Sequence, residues 1–180
     1  MAADTVLAVL DCPDVARVLV VTSDEVTGHE LASLGVSVAS DEPDRGLNAA
    51  LRHGARIAAQ NWPGTGTAAL SADLPALREP ELSRALRAAS ALPPNRAAFV
   101  ADEQGVGTTL YAAPPGAAFR PMFGGASRRR HAASGASELL LEGIPGLRRD
   151  VDTPADLRAA VALGVGTRTM AVAGDLLGVA

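Results

Sequence analysis

Residues 18–39 read VLVVTSDEVTGHELASLGVSVA, and this stretch decides the fold. The segment 15–22, which contains the apolar run 18–21, is typical of a short buried strand, and Ser23 is placed to cap a helix over 24–34. A second short apolar segment, 36–39, predicts the next strand. A strand, a helix and a strand in this order predict a βαβ unit, in which two parallel strands are joined through a helix.

The same alternation continues on both sides of this unit. The sequence predicts helices over 4–10, 47–60, 81–91, 127–134 and 154–163, and strands over 67–71, 97–101, 108–112 and 147–151. The strands 97–101 and 108–112 are joined by a short turn, so we expect them to pair antiparallel. Together the elements predict an α/β fold, a three-layer sandwich with a mostly parallel mixed sheet. Residues 1–163 are expected to form one domain, and residues 164–180, which lack a strong period, a loosely attached C-terminal tail.

The composition excludes several classes of protein. A net charge of −4 and 3% aromatic residues provide neither the basic surface nor the stacking surface of a nucleic-acid-binding protein. No apolar stretch approaches the roughly 20 residues of a membrane-spanning helix, and the first residues lack the basic start of a secretion signal. We therefore expect a cytoplasmic protein that binds small molecules and neither nucleic acid nor membranes. The sequence leaves a homodimer open.

All 16 basic residues are arginine. Without lysine, the chain cannot form a Schiff base or the lysine-bearing phosphate loop of the Walker type. The single cysteine, Cys12, excludes an internal disulfide and a cysteine-based metal site. Because ligands in α/β sheets bind beyond the carboxyl ends of the strands, the acidic and glycine-rich loops at those ends are the places where a site is expected.

Acidic residues follow two of the predicted strands. Asp73 comes after the strand 67–71. Asp150 and Asp152 lie at the end of the strand 147–151, where strand alternation puts them on one side and a cation would remove their repulsion. Together the three carboxylates supply hard oxygen ligands that suit magnesium. A plainer interpretation stays open for each site, with Asp73 as a helix-entry or turn residue and Asp152 or Thr153 as the cap of the next helix.

A glycine turn precedes another predicted helix. It reads FGGAS over 123–127, and the free N–H groups at the start of a helix can hold an anion. The arginines 128–130 follow and suit a phosphate or a phosphate-carboxylate compound, although a solvated arginine face is an equally open interpretation. Thr109 could add a backbone and a hydroxyl donor. His131 is placed to orient the Ser127 hydroxyl.

The combination of these motifs resembles a known family. In chain order it comprises Gly46-Leu47-Asn48, Asp73-Leu74-Pro75, Gly107-Thr108-Thr109-Leu110, Phe123-Gly124 with Ser127 and His131, and Asp150-Val151-Asp152-Thr153-Pro154. This order is similar to that in the phosphoenolpyruvate or 2-phospho-L-lactate guanylyltransferases of deazaflavin coenzyme F-420 biosynthesis. The resemblance covers roughly residues 2–163. It implies a Rossmann-like, GT-A-like nucleotidyltransferase fold, with GTP as the donor and magnesium as the cofactor.

The resemblance also implies roles for single residues. Asp73, Asp150 and Asp152 look like the metal-binding catalytic carboxylates. Thr109, Gly124 and Ser127 look like the residues that hold the phosphoenolpyruvate acceptor, and Gly46, Leu47 and Asn48 are similar to the segment that lines the guanine pocket. The reaction implied is transfer of GMP from GTP to phosphoenolpyruvate, which gives enolpyruvyl-diphospho-guanosine and pyrophosphate. Two alternatives stay open, namely 2-phospho-L-lactate as the acceptor and binding of phospho-acids or a partner without turnover.

The start of the chain departs from the family pattern. Members begin with a strand and a loop that contains lysine and arginine, whereas this chain opens on the helix 4–10. The resemblance therefore implies an N-terminally truncated sheet that lacks a central strand and has unpaired strand edges. Because the planar fork of arginine does not reproduce a compact ammonium group, we expect weakened phosphate contacts to GTP.

Overall fold

The computed structural model describes residues 1–42 and 44–177. Its helices are α1 (Ala2–Leu10), α2 (Glu25–Ala32), α3 (Leu47–Asn61), α4 (Glu79–Ser90), α5 (Ser127–Ala133), α6 (Pro145–Arg148), α7 (Pro154–Leu163) and α8 (Thr167–Leu177). Its strands are β1 (Leu19–Val21), β2 (Ser37–Ala39), β3 (Thr67–Leu70), β4 (Ala98–Val100), β5 (Leu110–Ala113) and β6 (Ser137–Glu138). None of the described helices is long and apolar enough to cross a membrane.

The strands form two sheets. β1 and β2 pair in parallel, with Leu19 opposite Ser37, and α2 joins them, which confirms the predicted βαβ unit. The second sheet has the order β3-β5-β4-β6. In it β5 runs antiparallel to β3 and β4, while β4 and β6 are parallel. The mixed sheet and the antiparallel pair β4–β5 are therefore confirmed, and β6 is a short strand that the sequence did not reveal.

Helices cover both faces of the second sheet. Leu110 of β5 belongs to an apolar cluster with Leu82 of α4 and Leu147 of α6. The next residue, Tyr111, belongs to a different cluster with Phe123, which precedes α5. Because successive residues of a strand point to opposite faces, these two clusters lie on opposite sides of the sheet. The result is the expected three-layer arrangement of helix, sheet and helix.

β1 and β3 each have one unpaired edge in the part of the chain that the structure describes. Helix α3 packs against both strands. The approach of α3 to β1 is close at Gly54, where an added Cβ would lie 2.8 Å from a methyl group of Val21.

The strand predicted over 147–151 is wrong. Residues 145–148 form α6 instead, with Pro145 in the first turn. The buried Glu81 carboxylate of α4 accepts hydrogen bonds from the N–H groups of Gly146 (3.2 Å) and Leu147 (2.8 Å). It thereby satisfies free donors at the start of the helix and complements the helix dipole. Burial raises the pKa of Glu81 although these N–H donors oppose the shift.

Residues 164–177 differ from the loosely attached tail that the sequence predicts. They include α8, which packs against α1 and α7. The buried carboxylate of Asp4 in α1 accepts hydrogen bonds from the backbone N–H groups of Thr169 (2.6 Å) and Arg168 (3.4 Å) at the start of α8. The Arg168 side chain also pairs with Glu30 at 2.9 Å. Because Asp4 and Thr169 are 165 residues apart, no local period could reveal this cap. Residues 178–180 of the predicted tail lie outside the described residues.

Candidate active site

The loop that carries Asp73 is tied to two other parts of the chain. The Thr5 hydroxyl of α1 donates to the Ala72 carbonyl (3.0 Å) and accepts from the Leu74 N–H (3.1 Å), so it holds the residues on both sides of Asp73. The Asp73 carbonyl accepts from the Val151 N–H at 3.1 Å. This last bond brings the segment between Asp150 and Asp152 next to the loop that follows β3.

The carboxylates at this edge of the sheet influence one another. Burial is the main cause that raises the pKa of Asp150 from 3.8 to about 6, and the charges of Asp102, Asp73 and Asp152 act in the same direction. The pKa of Asp73 is also raised, first by burial and then by the charge of Asp152. Buried carboxylates that repel one another favour either protonation or a nearby cation.

The side chains do not by themselves close around an ion. Within residues 1–42 and 44–177, no group of three or more His, Cys, Asp or Glu side chains is arranged to hold a metal. Asp73 Oδ1 is nevertheless buried and has no hydrogen-bond partner among the described residues. A buried oxygen without a donor is costly unless another group approaches it. The edge is therefore suited to a cation, although the carboxylates would have to move to share one.

Asp102 is a fourth carboxylate at this edge, and it was missed in the sequence. It follows β4 and is 7% exposed. Its carboxylate accepts from the N–H groups of Val106 (2.8 Å) and Gly107 (2.6 Å), and so shapes the turn between β4 and β5. The rule that selected Asp73, an acid at the carboxyl end of a strand, applies equally to Asp102. Its charge contributes to the raised pKa of Asp150.

Thr109 lies between the ends of two strands of the second sheet. Its N–H donates to the Val100 carbonyl (3.0 Å), and its carbonyl accepts from the Ser71 N–H (2.9 Å). The side chain is fully buried, and its hydroxyl has no hydrogen-bond partner in the described part of the chain. Asp73 follows Ser71 by two residues. Because the Thr109 carbonyl bonds to Ser71, Thr109 lies beside the start of the loop that carries Asp73.

The glycine turn leads into α5 as predicted. Gly124 (φ 91°) and Gly125 (φ 45°) are exposed and adopt the left-handed region that glycine enters without steric cost. The Ser127 N–H donates to the Gly125 carbonyl at 2.8 Å, and α5 begins at Ser127. Ser127 is only 1% exposed. The turn therefore places a buried hydroxyl next to an open stretch of backbone.

His131 connects this turn to the strand beside it. The Met122 N–H donates to Nε2 (2.8 Å), and Nδ1 lies 3.0 Å from the Thr108 hydroxyl, which in turn lies 3.1 Å from the Ser127 hydroxyl. Burial, and next the charge of Arg130, lower the pKa of His131 to about 4, so the ring is neutral at neutral pH. His131 thus reaches Ser127 through Thr108 and not directly.

Asn48 holds the backbone of Phe123. Its Nδ2 donates to the Phe123 carbonyl (3.0 Å), and its Oδ1 accepts from the Phe123 N–H (2.8 Å). Gly46 (φ 83°) and Leu47, the other two residues of this motif, are exposed at the start of α3. The resemblance assigns the motif to the guanine pocket. In the structure the Asn48 amide instead makes two hydrogen bonds to the turn that leads to Ser127.

Two of the three arginines after the glycine turn, Arg128 and Arg130, bond to neighbouring loops. Arg128 pairs with a glutamate of β6 at 3.0 Å and donates to the Gly105 carbonyl at 3.0 Å. Arg130 donates to the carbonyls of Met122 (3.2 Å) and Gly124. These two guanidinium groups bond to the protein itself, whereas Arg129 between them is exposed. Backbone N–H groups, hydroxyls and the Arg129 side chain are therefore the donors near the turn that an anion could use.

Known proteins match this chain over most of its length. The MobA-like NTP transferase domain matches residues 1–144. A phosphoenolpyruvate guanylyltransferase of Thermomonospora curvata is 60% identical over 173 residues, which cover 96% of this chain and 75% of that protein. A protein of the same name from Streptomyces coelicolor is 55% identical over 176 residues, which cover 98% of this chain and 82% of that protein. These matches confirm the resemblance that the motifs carry. The chain belongs to the MobA-like NTP transferase family, together with these phosphoenolpyruvate guanylyltransferases.

Proposed function

We propose that this protein transfers GMP from GTP to phosphoenolpyruvate and releases pyrophosphate. One observation carries the proposal. The mutually repelling carboxylates of Asp73 and Asp150 lie at the same sheet edge as Thr109, whose buried hydroxyl has no partner among the described residues. Carboxylates that repel one another favour a bound cation, and a buried hydroxyl without a partner can donate to a bound anion. A site with both features suits two phosphorylated substrates. The names of the relatives identify which substrates to test first.

Magnesium is the proposed cofactor. Asp73, Asp150 and Asp152 would hold it, because hard carboxylate oxygens are its preferred protein ligands and it leaves other positions to water and phosphate. The unpartnered Oδ1 of Asp73 and the raised pKa of Asp150 support this fit. When bound, the ion neutralises phosphate charge and orients the reacting oxygens.

The proposed reaction needs no covalent intermediate with the protein. An oxygen of the acceptor phosphate attacks the α-phosphorus of GTP, the new P–O bond forms, and the bond to the β-phosphate oxygen breaks so that pyrophosphate leaves. Such a transfer depends on position and charge stabilisation. Thr109, Gly124 and Ser127 would hold the acceptor. The segment Gly46 to Asn48 would lie near the nucleotide, with Asn48 acting through the turn that it holds. Both substrates are small molecules, and we propose a cytoplasmic enzyme.

A pyrophosphate-release assay tests this function. We expect pyrophosphate only when GTP, phosphoenolpyruvate and magnesium are all present, and a slower release when 2-phospho-L-lactate replaces phosphoenolpyruvate. Faster release with 2-phospho-L-lactate than with phosphoenolpyruvate would mean that 2-phospho-L-lactate is the acceptor. Binding of phosphoenolpyruvate without any release of pyrophosphate would replace the proposal with binding without turnover.

Ser127→Ala is expected to weaken phosphoenolpyruvate binding about tenfold, because the mutant loses one hydrogen bond to a charged group. Calorimetry with phosphoenolpyruvate and magnesium measures the dissociation constant. Ser134→Ala is the matched control, since the Ser134 hydroxyl donates to the His131 carbonyl (2.6 Å) at the other end of α5. Equal affinity in Ser127→Ala and in the unchanged protein would mean that Ser127 serves only the fold.

Asn48→Ala is expected to raise the KM for phosphoenolpyruvate more than the KM for GTP. The mutant loses both bonds to the Phe123 backbone, so the turn that leads to Ser127 is held less firmly. The loss of these bonds predicts an increase of about tenfold in the KM for phosphoenolpyruvate. Initial rates at varied concentrations of each substrate separate the two constants. A larger increase in the KM for GTP than in the KM for phosphoenolpyruvate would mean that Asn48 lines the guanine pocket.

A further inference from the structure

We propose that Thr5 of α1 is a positioning residue for the proposed reaction, because its hydroxyl fixes the direction in which the Asp73 side chain leaves the backbone. The inference deepens the proposed function and rests on it for the role of Asp73. Thr5 is 2% exposed, so it acts through the loop that carries Asp73 and not by contact with a substrate.

Two peptide groups flank Asp73, and both are held by other parts of the chain. The Thr5 hydroxyl donates to the Ala72 carbonyl (3.0 Å), which belongs to the peptide group before Asp73. The same hydroxyl accepts from the Leu74 N–H (3.1 Å), which belongs to the peptide group after Asp73. The carbonyl of this second group, that of Asp73, accepts from the Val151 N–H (3.1 Å). Thr5 therefore bonds to both peptide groups, and Val151 to one of them.

Holding both peptide groups sets the direction of the Asp73 side chain. A peptide group is planar, so the backbone of one residue rotates about just the two bonds at its Cα atom. When the planes on both sides are held, these two rotations are held as well, and the Cα–Cβ bond keeps one direction. The Asp73 carboxylate can still rotate about its own side-chain bonds, but its point of attachment is fixed by Thr5 and Val151.

A hydroxyl is suited to this task because it donates one hydrogen bond and also accepts. The single hydrogen of Thr5 is directed to the Ala72 carbonyl at 3.0 Å, since the Met1 carbonyl is farther away at 3.4 Å. Thr5 and Leu74 are both buried, so water does not take the place of the hydroxyl at the Leu74 N–H. A buried donor without a partner is costly. Loss of the hydroxyl therefore favours a shift of the loop that carries Asp73.

Helix α1 is itself held on several sides, so Thr5 gives the loop a fixed point of support. Val6 packs in the apolar cluster beside the βαβ unit, whereas Val9 packs against the larger cluster under the second sheet. Asp4 caps α8. The Gly166 N–H, just before α8, donates to the Pro75 carbonyl at 3.0 Å, two residues beyond Asp73. The loop is therefore supported by α1 directly and by the start of α8 from a second side.

Thr5→Val removes the hydroxyl and keeps the shape of the side chain. We expect kcat for pyrophosphate release to fall ten- to a hundredfold, because a misplaced carboxylate loses activity on this scale. The KM for phosphoenolpyruvate should change less than about twofold, since the proposed acceptor residues lie on other segments. Thr5→Ser keeps the hydroxyl and should restore most of kcat. Unchanged kcat in Thr5→Val, an equal loss in Thr5→Ser, or a tenfold increase in this KM would each overturn the proposal.

Binding of Mn²⁺ in the absence of nucleotides gives a readout that does not depend on activity. Mn²⁺ prefers the same oxygen ligands as magnesium, and water-proton relaxation measures the bound ion. We expect Thr5→Val to weaken this binding about tenfold. Thr169→Val is the matched control, because Thr169 of α8 is 3% exposed and its hydroxyl has no hydrogen-bond partner among the described residues. Equal Mn²⁺ affinity in Thr5→Val and Thr169→Val would overturn the proposal.

Hydrogen exchange of the Leu74 amide, followed by NMR, tests the support of the loop even if Thr5→Val does not fold. In the unchanged protein we expect this amide to exchange as slowly as that of Thr109, which donates to the Val100 carbonyl within the sheet. Fast exchange at Leu74 would overturn the proposal. In folded Thr5→Val, Leu74 should exchange at least about tenfold faster while Thr109 stays protected. If the unchanged protein releases no pyrophosphate, the proposed function fails, whereas the exchange at Leu74 still decides whether Thr5 holds the loop.

Discussion

Asp150→Asn is expected to lower kcat for nucleotidyl transfer by about a thousandfold or more and to leave the metal-free protein at least as stable as before at neutral pH. The loss of activity follows because the amide removes one of the charges that would hold magnesium and the transferring phosphate in place. The stability follows from the environment of Asp150, where burial and neighbouring carboxylates disfavour its charged form.

The sign of the pH dependence comes from the direction of this shift. The folded state raises the pKa of Asp150 from 3.8 to about 6, so it binds the proton more tightly than the unfolded chain does. The contribution of Asp150 to stability is therefore greatest at a pH below 3.8 and falls as the pH rises to about 6. Above that pH the charged group costs at most about 3 kcal/mol. The amide that Asp150→Asn introduces does not ionise, so the variant avoids this cost.

Urea unfolding in the presence of a chelator measures the effect. The midpoint for Asp150→Asn should equal or exceed that of the unchanged protein above about pH 6, and the difference should shrink at lower pH. Added magnesium should stabilise the unchanged protein and not the mutant. Unchanged kcat in Asp150→Asn would remove this residue from the catalytic site.

Asp156→Asn provides the matched control with the opposite pattern. Asp156 belongs to a capping box at the start of α7, where its Oδ2 accepts from the N–H (2.9 Å) and the hydroxyl (2.6 Å) of Thr153. Losing part of this cap and its charge should lower the free energy of unfolding by about 0.5 to 1 kcal/mol. Because these contacts lie within the capping box, kcat should stay near its original value. Loss of activity in both variants would mean that any change in this loop is harmful.

Local patterns in the sequence were sufficient to locate the acidic edge and several elements. The capping box at Thr153 and Asp156 lies within four consecutive residues, so it could be read directly, and α7 begins where it predicts. The apolar strand β3 and the acid that follows it are likewise adjacent, which is why Asp73 was found. Asp102 satisfies the same condition after β4, so the sequence alone contains the signal that identifies it.

Contacts between distant residues explain what the sequence could not show. The Glu81 carboxylate that caps α6 is 66 residues from Leu147. This distant contact stabilises a helix where the local sequence predicts a strand. Asn48 and Phe123 are 75 residues apart, so the motif around Asn48 gave no sign that its amide holds the glycine turn. Periodicity and capping signals describe neighbours in the chain, whereas these partners are brought together only by the packed fold.

Gly146→Ala is expected to destabilise the protein by about 3 kcal/mol, because a packed site that lacks room forces its surroundings to move. An added Cβ at Gly146 would overlap the backbone carbonyl of Ala76 and lie 2.7 Å from Glu81 Oε2. The Ala76 carbonyl cannot rotate away as a side chain would. The shift should also disturb the Glu81 cap of α6 and, through α6, the position of Asp150. We therefore expect lower kcat together with a lower midpoint of urea unfolding.

Gly28→Ala is the matched substitution with the opposite expected sign. Gly28 lies within α2, and an added Cβ would meet methyl groups of Val38 and Thr22 at 3.5 and 3.6 Å, which are ordinary contact distances. Alanine favours the helix over glycine, so this variant should gain about 0.5 to 1 kcal/mol without a change in kcat. If Gly146→Ala were as stable as Gly28→Ala, the close approach of α6 to the Ala76 loop would be wrong. The account of how Glu81 fixes the Asp150 segment would then fail with it, since both depend on that same contact.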